Sequence, residues 1–186
     1  MVFLLVATVG CEKSELYQEN VDQKMVPSIL EMSKKDNDCY DRKMVPLKGK
    51  IIEIADLSVP MIFCGPVPYP SRFLDIKGNL THFGNVAGGA AYMLDCNFVI
   101  IDGIPHFMVN TDGEFATANN ERVFYNGSLW FQIENPTVGG SQFYIYGGTG
   151  KWEDAKGCFD GLVKRLDELT ISFVVDGMIT SPGLIK

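Results

Sequence analysis

Phe143-Tyr-Ile-Tyr-Gly-Gly-Thr-Gly-Lys-Trp-Glu-Asp-Ala-Lys-Gly-Cys-Phe-Asp-Gly161 decides how this chain reads. Phe143 to Tyr146 are aromatic or β-branched, the side chains that suit a pleated, half-buried surface. Gly147, Gly148 and Gly150 then interrupt the strand, because glycine reaches backbone angles closed to other residues. Trp152 and Ala155 bracket the acidic pair Glu153-Asp154, and an extended pattern resumes from Gly157 to Leu162. The segment therefore predicts strand, glycine corner, strand, with Trp152 placed to plug the end of a closed sheet. A phosphate-cradling loop is the rival reading of Gly-Gly-Thr-Gly-Lys. It fails on spacing: Trp152 stands where such a loop needs a hydroxyl residue, and no apolar helix follows.

Working outward, the same logic extends to most of the chain. Lys48 to Ile54 reads as the first strand of the series. Val59 to Pro70 carries four prolines, which cannot donate to a sheet ladder; it reads as a loop or edge crossing, with Met61, Ile62 and Phe63 dipping inward. Gly78 to His82 and Ala91 to Ile101 are strands separated by the turn-rich run Gly84 to Gly89. Asp102-Gly103 is a hairpin signal, with Ile104 to Val109 returning. Asn110 to Gly113 turns into Glu114 to Thr117. Asn126-Gly127, the strongest hairpin dipeptide, separates Arg122–Tyr125 from Leu129–Glu134. Ser141 to Tyr146 and Gly157 to Leu162 flank the corner, and Thr170 to Asp176 closes the series. About nine short strands with turns between them and no long helical pattern imply an all-β sandwich or an up-and-down barrel.

Three segments also resemble a known superfamily. Gly147 to Gly157 is similar to the "GGTG-aromatic-x-x-A-x-G" signature of the allene oxide cyclase and dirigent barrels. Gly78-Asn-Leu-Thr-His-Phe-Gly84 resembles the "G-x-x-T-H-hydrophobic-G" segment of secreted bacterial proteins with that barrel. Thr117-Ala-Asn-Asn-Glu121 resembles their "T-A-x-N-G-D", with Asn120 and Glu121 in place of Gly and Asp. The resemblance runs from Gly78 to Gly157, in the expected order. It implies a closed antiparallel eight-stranded up-and-down barrel, calycin-like, with a short N-terminal extension. In plant members the barrel steers cyclisation or radical coupling of a bound hydrophobic molecule. None of their functional residues maps onto a position here.

The chain divides into residues 1–11, a signal or lipoprotein segment; 12–47, a tether with room for one short helix; and 48–186, the barrel domain. Residues 1–11 are apolar throughout and far shorter than the about 20 residues a membrane-spanning helix needs. Gly10 directly before Cys11 resembles a bacterial lipoprotein signal, in which the cysteine is lipidated and tethers the protein to a membrane. Thr8 replaces the usual aliphatic residue there, and no Lys or Arg precedes the run. A buried first strand is the alternative. In the tether, Val21 and Met25 fall at helical spacing until Pro27 interrupts; a helix docked over one barrel end is the competing view. The expected location is the bacterial cell envelope, lipid-anchored on its periplasmic or outer face, or the secreted fraction. Beyond Cys11, four cysteines remain, Cys39, Cys64, Cys96 and Cys158, an even number compatible with two disulfides in an oxidising compartment or with buried thiols. Sequence does not choose among the three pairings.

The net charge is −7 and unevenly placed: residues 1–50 hold eight Lys/Arg and eight Asp/Glu, residues 51–186 eight and fifteen. The acidic excess belongs to the barrel, and a surface of that sign repels phosphate backbones, which excludes nucleic acid as the expected partner. Two histidines far apart and no C-x-x-C make a metal site unexpected, and no cofactor fingerprint or nucleophile motif appears. The polar candidates are His82, His106, Tyr92, Asp95, Glu114, Glu121 and Asp154. An isolated His on a strand is more often a satisfied scaffold group than a catalyst, so His82 reads first as a cross-strand bonding group at the corner and second as a general acid or base with a carboxylate partner or a ligand contact. His106, after Pro105, reads as a surface or mouth residue. No pair of carboxylates stands at acid–base spacing, so the catalytic residues are unknown. The function expected is a binding or structural module: a small closed barrel holds one apolar ligand, lined by Phe98, Phe107, Phe115, Phe131 and Phe143 with His82 nearby. An isomerase or cyclase acting on such a ligand is the alternative. Oligomer formation is left open.

Overall fold

The computed structural model describes residues 44–64 and 67–181. Among these, the strands in chain order are β1 (Met44–Ala55), β2 (Met61–Cys64), β3 (Val67–Pro70), β4 (Arg72–Leu80), β5 (Gly84–Ile101), β6 (Ile104–Thr117), β7 (Arg122–Gln132), β8 (Val138–Gly148), β9 (Gly157–Arg165) and β10 (Thr170–Thr180). β1 and β4 through β10 form a closed antiparallel eight-stranded barrel in the order β1-β10-β9-β8-β7-β6-β5-β4, with β4 pairing back onto β1. Each barrel strand after the β2–β3 hairpin pairs with the next in sequence, which makes the barrel the expected up-and-down type.

Period-2 alternation decides what fills it. β1 turns Leu47, Ile51, Glu53 and Ala55 inward and exposes Lys48 and Lys50; β7 buries Val123, Tyr125, Leu129 and Phe131. Eight strands enclose a space that side chains fill, and here the filling is aromatic. Phe115 stacks on Tyr125 at 4.5 Å between ring centroids, and Phe143 meets Phe159 at 5.1 Å and Tyr125 at 5.2 Å. Each such side chain contributes about 1.5–3 kcal/mol by leaving water.

The corner end closes as the sequence predicts. Gly150 sits at φ +59°, in the left-handed region, and starts a 3-10 turn, Gly150–Trp152. Trp152 is wholly buried and packs on Phe83 at 5.4 Å. A Cβ on Gly148 would lie 2.8 Å from the Trp152 Cβ, and one on Gly157 would run into the Met178 carbonyl. Gly147 is different: the nearest atom to a Cβ there is 3.6 Å away, so space does not require glycine. The neighbouring turns are bonded to the corner. Thr149 Oγ1 accepts the Arg122 N–H at 2.9 Å, and Lys151 Nζ lies 3.2 Å from Glu121 Oε2. Segments 78–84, 117–121 and 147–157, far apart in sequence, thus meet at one end of the barrel.

Several local expectations are overturned. Asn126-Gly127 and Asn110–Gly113 are not turns; both lie inside strands, β7 and β6, paired on both sides. Their glycines answer crowding: a Cβ on Gly127 would meet Phe143 Cδ1 at 2.8 Å, and one on Gly113 the Tyr125 ring at 2.6 Å. Gly84–Gly89 begins the 18-residue β5 instead of preceding it. Asp102-Gly103 is the predicted hairpin, with φ +52° and +79°, both positive as a type I′ turn requires. Val59–Pro70 is neither loop nor edge crossing: it holds the separate β2–β3 hairpin, where Pro70 pairs Met61 and Pro68 pairs Phe63. Phe63 points to solvent, Met61 is exposed, and Ile62 packs partly against the core. β1 starts at Met44, so Met44–Leu47 belong to the barrel rather than the tether. The signal segment, Cys11 and the tether before Met44 lie outside the described residues.

Candidate functional site at the mouth of the barrel

The barrel end opposite the corner carries the turns after β1, β5, β7 and β9. Tyr69 of the β2–β3 hairpin enters the barrel there and is buried against Phe107, Phe73 and Phe131, with ring centroids 6.0, 6.2 and 6.5 Å away. Two links hold the hairpin in place: a disulfide between Cys64 and Cys96 of β5, and a hydrogen bond from Ser71 Oγ to the Pro60 carbonyl. Around Tyr69 lies a narrow cleft, lined also by Arg165, Glu168, Leu169 and Ile171, with about 10 Å³ available to water. That is about what one water molecule needs.

Glu53 projects from β1 into the barrel and is buried. Among the described residues its one hydrogen bond comes from the Tyr125 hydroxyl, 3.4 Å from Oε1, and no cation pairs with it. Burial dominates, with the Tyr125 bond only partly opposing, so the carboxyl is pushed up from its ordinary 4.5 to about 8. Glu53 is therefore a neutral acid at pH 7. Burial, and then the nearby Glu53, push the hydroxyls of Tyr69 and Tyr125 upward as well. The Tyr69 hydroxyl is buried without a hydrogen-bond partner among the described residues. Such a group carries a desolvation cost of about 1–3 kcal/mol. Chemically, the arrangement offers proton donors and acceptors in an enclosure lined mostly by aromatic and aliphatic side chains, with the hydroxyls of Thr111 and Ser141 also inside. Gly113 gives the Tyr125 ring its room, so Gly113→Ala is expected to displace the ring from Glu53 and destabilise the fold by roughly 1–3 kcal/mol. Urea unfolding checks this; a variant as stable as the parent would mean the ring moves freely.

The residues singled out from sequence are distributed unevenly over this site. Phe107 and Phe131 pack on the Tyr69 plug, while Phe115 and Phe143 lie deeper in the barrel around Tyr125. Phe98 does not line the interior. It pairs with Phe107 but lies beyond Tyr92, the last β5 residue that β4 reaches, so it overhangs the rim at 55% exposure. His82 is exposed in the turn after β4 at φ +63°, and the cross-strand bonding there falls to Thr81, which accepts the Lys48 N–H and donates to the Pro46 carbonyl. His106 is buried instead of open to the surface, with Nδ1 donating to the Ile104 carbonyl at 2.8 Å. Asp95, Glu114 and Glu121 bond at the surface to Asn110, Arg122 and Lys151; Asp154 and Tyr92 are exposed.

Sequence reading passed over Glu53, Tyr69 and Tyr125. A signal existed for Glu53: with Lys48 and Lys50 outward, the period-2 phase of β1 sends residue 53 inward. Tyr125 shares its phase with Leu129 and Phe131, but Asn126-Gly127 hid it. Tyr69, between two prolines, gave none. Comparison with protein-family models and with curated protein sequences finds no match to this chain.

Proposed function

We propose that this is a cell-envelope or secreted barrel that binds a small apolar molecule through the Tyr69 mouth, where the protonated Glu53 carboxyl meets the ligand's polar atom. The observation that carries this reading is the Glu53 carboxyl inside an aromatic barrel, bonded to the Tyr125 hydroxyl but to no cation, beside a Tyr69 hydroxyl without a partner among the described residues. A buried acid whose acidity is strongly perturbed is a functional-site candidate, and a side-chain-filled scaffold has no need of it. The space a ligand ring would take is held by the Tyr69 ring, so binding exchanges one ring for another. The Cys64–Cys96 disulfide, with Cys158 also disulfide-bonded, supports an oxidising compartment; a lipid anchor at Cys11 would hold the protein on a membrane. A neutral acid of this kind is also what a cyclase or isomerase uses to protonate an oxygen of its substrate, so the enzymatic alternative rests on the same residue. A packed interior favours the third reading, a scaffold.

Native mass spectra recorded directly from cell extract separate these readings. A copurified apolar mass supports binding and supplies a compound in which turnover can be sought. In parallel, Tyr69→Ala is expected to raise the affinity for an environment-sensitive apolar dye at least about tenfold, at a stability cost of roughly 3–5 kcal/mol. An apo mass, with no dye bound by parent or variant, would leave the scaffold.

A further inference from the structure

The two ends of the barrel differ in what they show to solvent. At the corner end the large apolar residues of the turns, Phe83 and Trp152, are buried, and the exposed positions are polar or small, among them Thr81, His82, Ala118, Asn120, Lys151 and Asp154. At the mouth end the pattern inverts. The β5–β6 hairpin exposes Phe98, Ile100 at 76% and Ile104; the β2–β3 hairpin exposes Phe63 at 70%. Leu57 after β1, Ile133 after β7 and Leu166 after β9 are exposed too. Large apolar tips thus stand on five separate connections, all around the opening that Tyr69 closes. Exposed apolar groups gathered in this way mark an interaction site.

We infer that the mouth end docks on an uncharged lipid surface, so that the apolar ligand passes between bilayer and barrel without crossing water; this deepens the ligand-binding reading and rests on it for the direction of transfer. The shape and the charge of the rim select the occupant. Tips on separate turns encircling an opening form no continuous groove for a protein segment, whereas a deformable headgroup layer accepts each tip independently, as interfacial insertion does. Between the tips stand Asp102, Glu134, Asp167 and Glu168, all exposed, against the cations Lys164 and Arg165, while Arg72 is paired with Asp56, so acidic groups outnumber basic ones at the rim. This acidic rim repels anionic lipid and complements the outward ammonium groups of zwitterionic headgroups.

The test is flotation of the full chain, with Cys11→Ser in every protein so that no lipid anchor forms, on neutral phosphatidylcholine vesicles and on vesicles containing anionic phosphatidylglycerol. The parent is compared with the rim variant Phe98→Ser/Ile100→Ser/Ile104→Ser and the mid-barrel variant Leu162→Ser/Val174→Ser. All five positions are exposed, so each variant should fold, which circular dichroism confirms. Expected are binding to neutral vesicles, a loss of at least about tenfold in the rim variant alone, and amide-exchange protection of residues 98–104 when vesicles are added. Equal binding by parent and rim variant, protection elsewhere, binding only to anionic vesicles, or self-association without vesicle binding would each overturn the inference. Dye binding in vesicle-free solution reports on the ligand reading separately: a protein that binds dye but not vesicles keeps the ligand and loses the membrane.

Discussion

Glu53→Gln is expected to make this protein more stable at pH 8 and above by roughly 3–5 kcal/mol, and to leave its stability nearly unchanged below pH 4.5. Glu53 is neutral in the folded barrel up to about pH 8, whereas in the unfolded chain it ionises around 4.5. Between those values the unfolded state holds fewer protons than the native state, so stability falls as pH rises, by about 1.4 kcal/mol per pH unit for one such group. The contribution is fully present below pH 4.5, is lost progressively towards pH 8, and is flat above it. Gln has the same shape and never ionises. Subtracting the parent's unfolding free energies from the variant's, at each pH, cancels every other titrating group. The difference should be near zero at pH 4, climb through neutral pH and level off above 8. A flat difference would mean that Glu53 ionises in the barrel as freely as in water, and the acid on which the proposed function rests would be lost with it. The size of the effect reflects the absence of a paired cation at Glu53 among the described residues: an Arg beside it would pull the carboxyl down and reverse the sign of the slope.

Trp152→Ala is expected to cost roughly 3–5 kcal/mol, which for a domain of this size lowers Tm by about 8–16 °C. Trp152 is wholly buried, and its ring is the contact between the corner and Phe83 from the turn after β4. Its indole N–H has no hydrogen-bond partner among the described residues, so its contribution is apolar packing. Trp152→Phe should therefore recover about half of the loss, since it restores ring area and gives up no hydrogen bond. Thermal and urea unfolding of the two variants check this together. A loss below about 1 kcal/mol for alanine would show that the neighbouring turns collapse into the space, and that the corner is held by Thr149–Arg122 and Lys151–Glu121 instead of by its aromatic plug.

Local sequence determined the alternation along several strands and where the decisive corner lies. Alternation in β1 and β7, the positive-φ pair Asp102-Gly103 and the glycine–tryptophan corner are properties of neighbouring residues, so they were legible without the fold. Closure of the barrel was legible only through the resemblance and the meander of short strands. Tertiary structure decided the rest, because it depends on residues far apart in sequence. Asn126-Gly127 has the chemistry of a turn, yet pairing on both sides and the Phe143 ring pressed on Gly127 keep it in a strand. Phe98 has an inward phase, but β4 stops short of it and leaves it on the rim. Tyr69 lies in a proline-rich stretch that no local rule reads as buried; the Cys64–Cys96 link across 32 residues helps hold it in the mouth. The unusual acidity of Glu53 exists only once the sheet closes, because its desolvation comes from burial among side chains that the other strands bring around it.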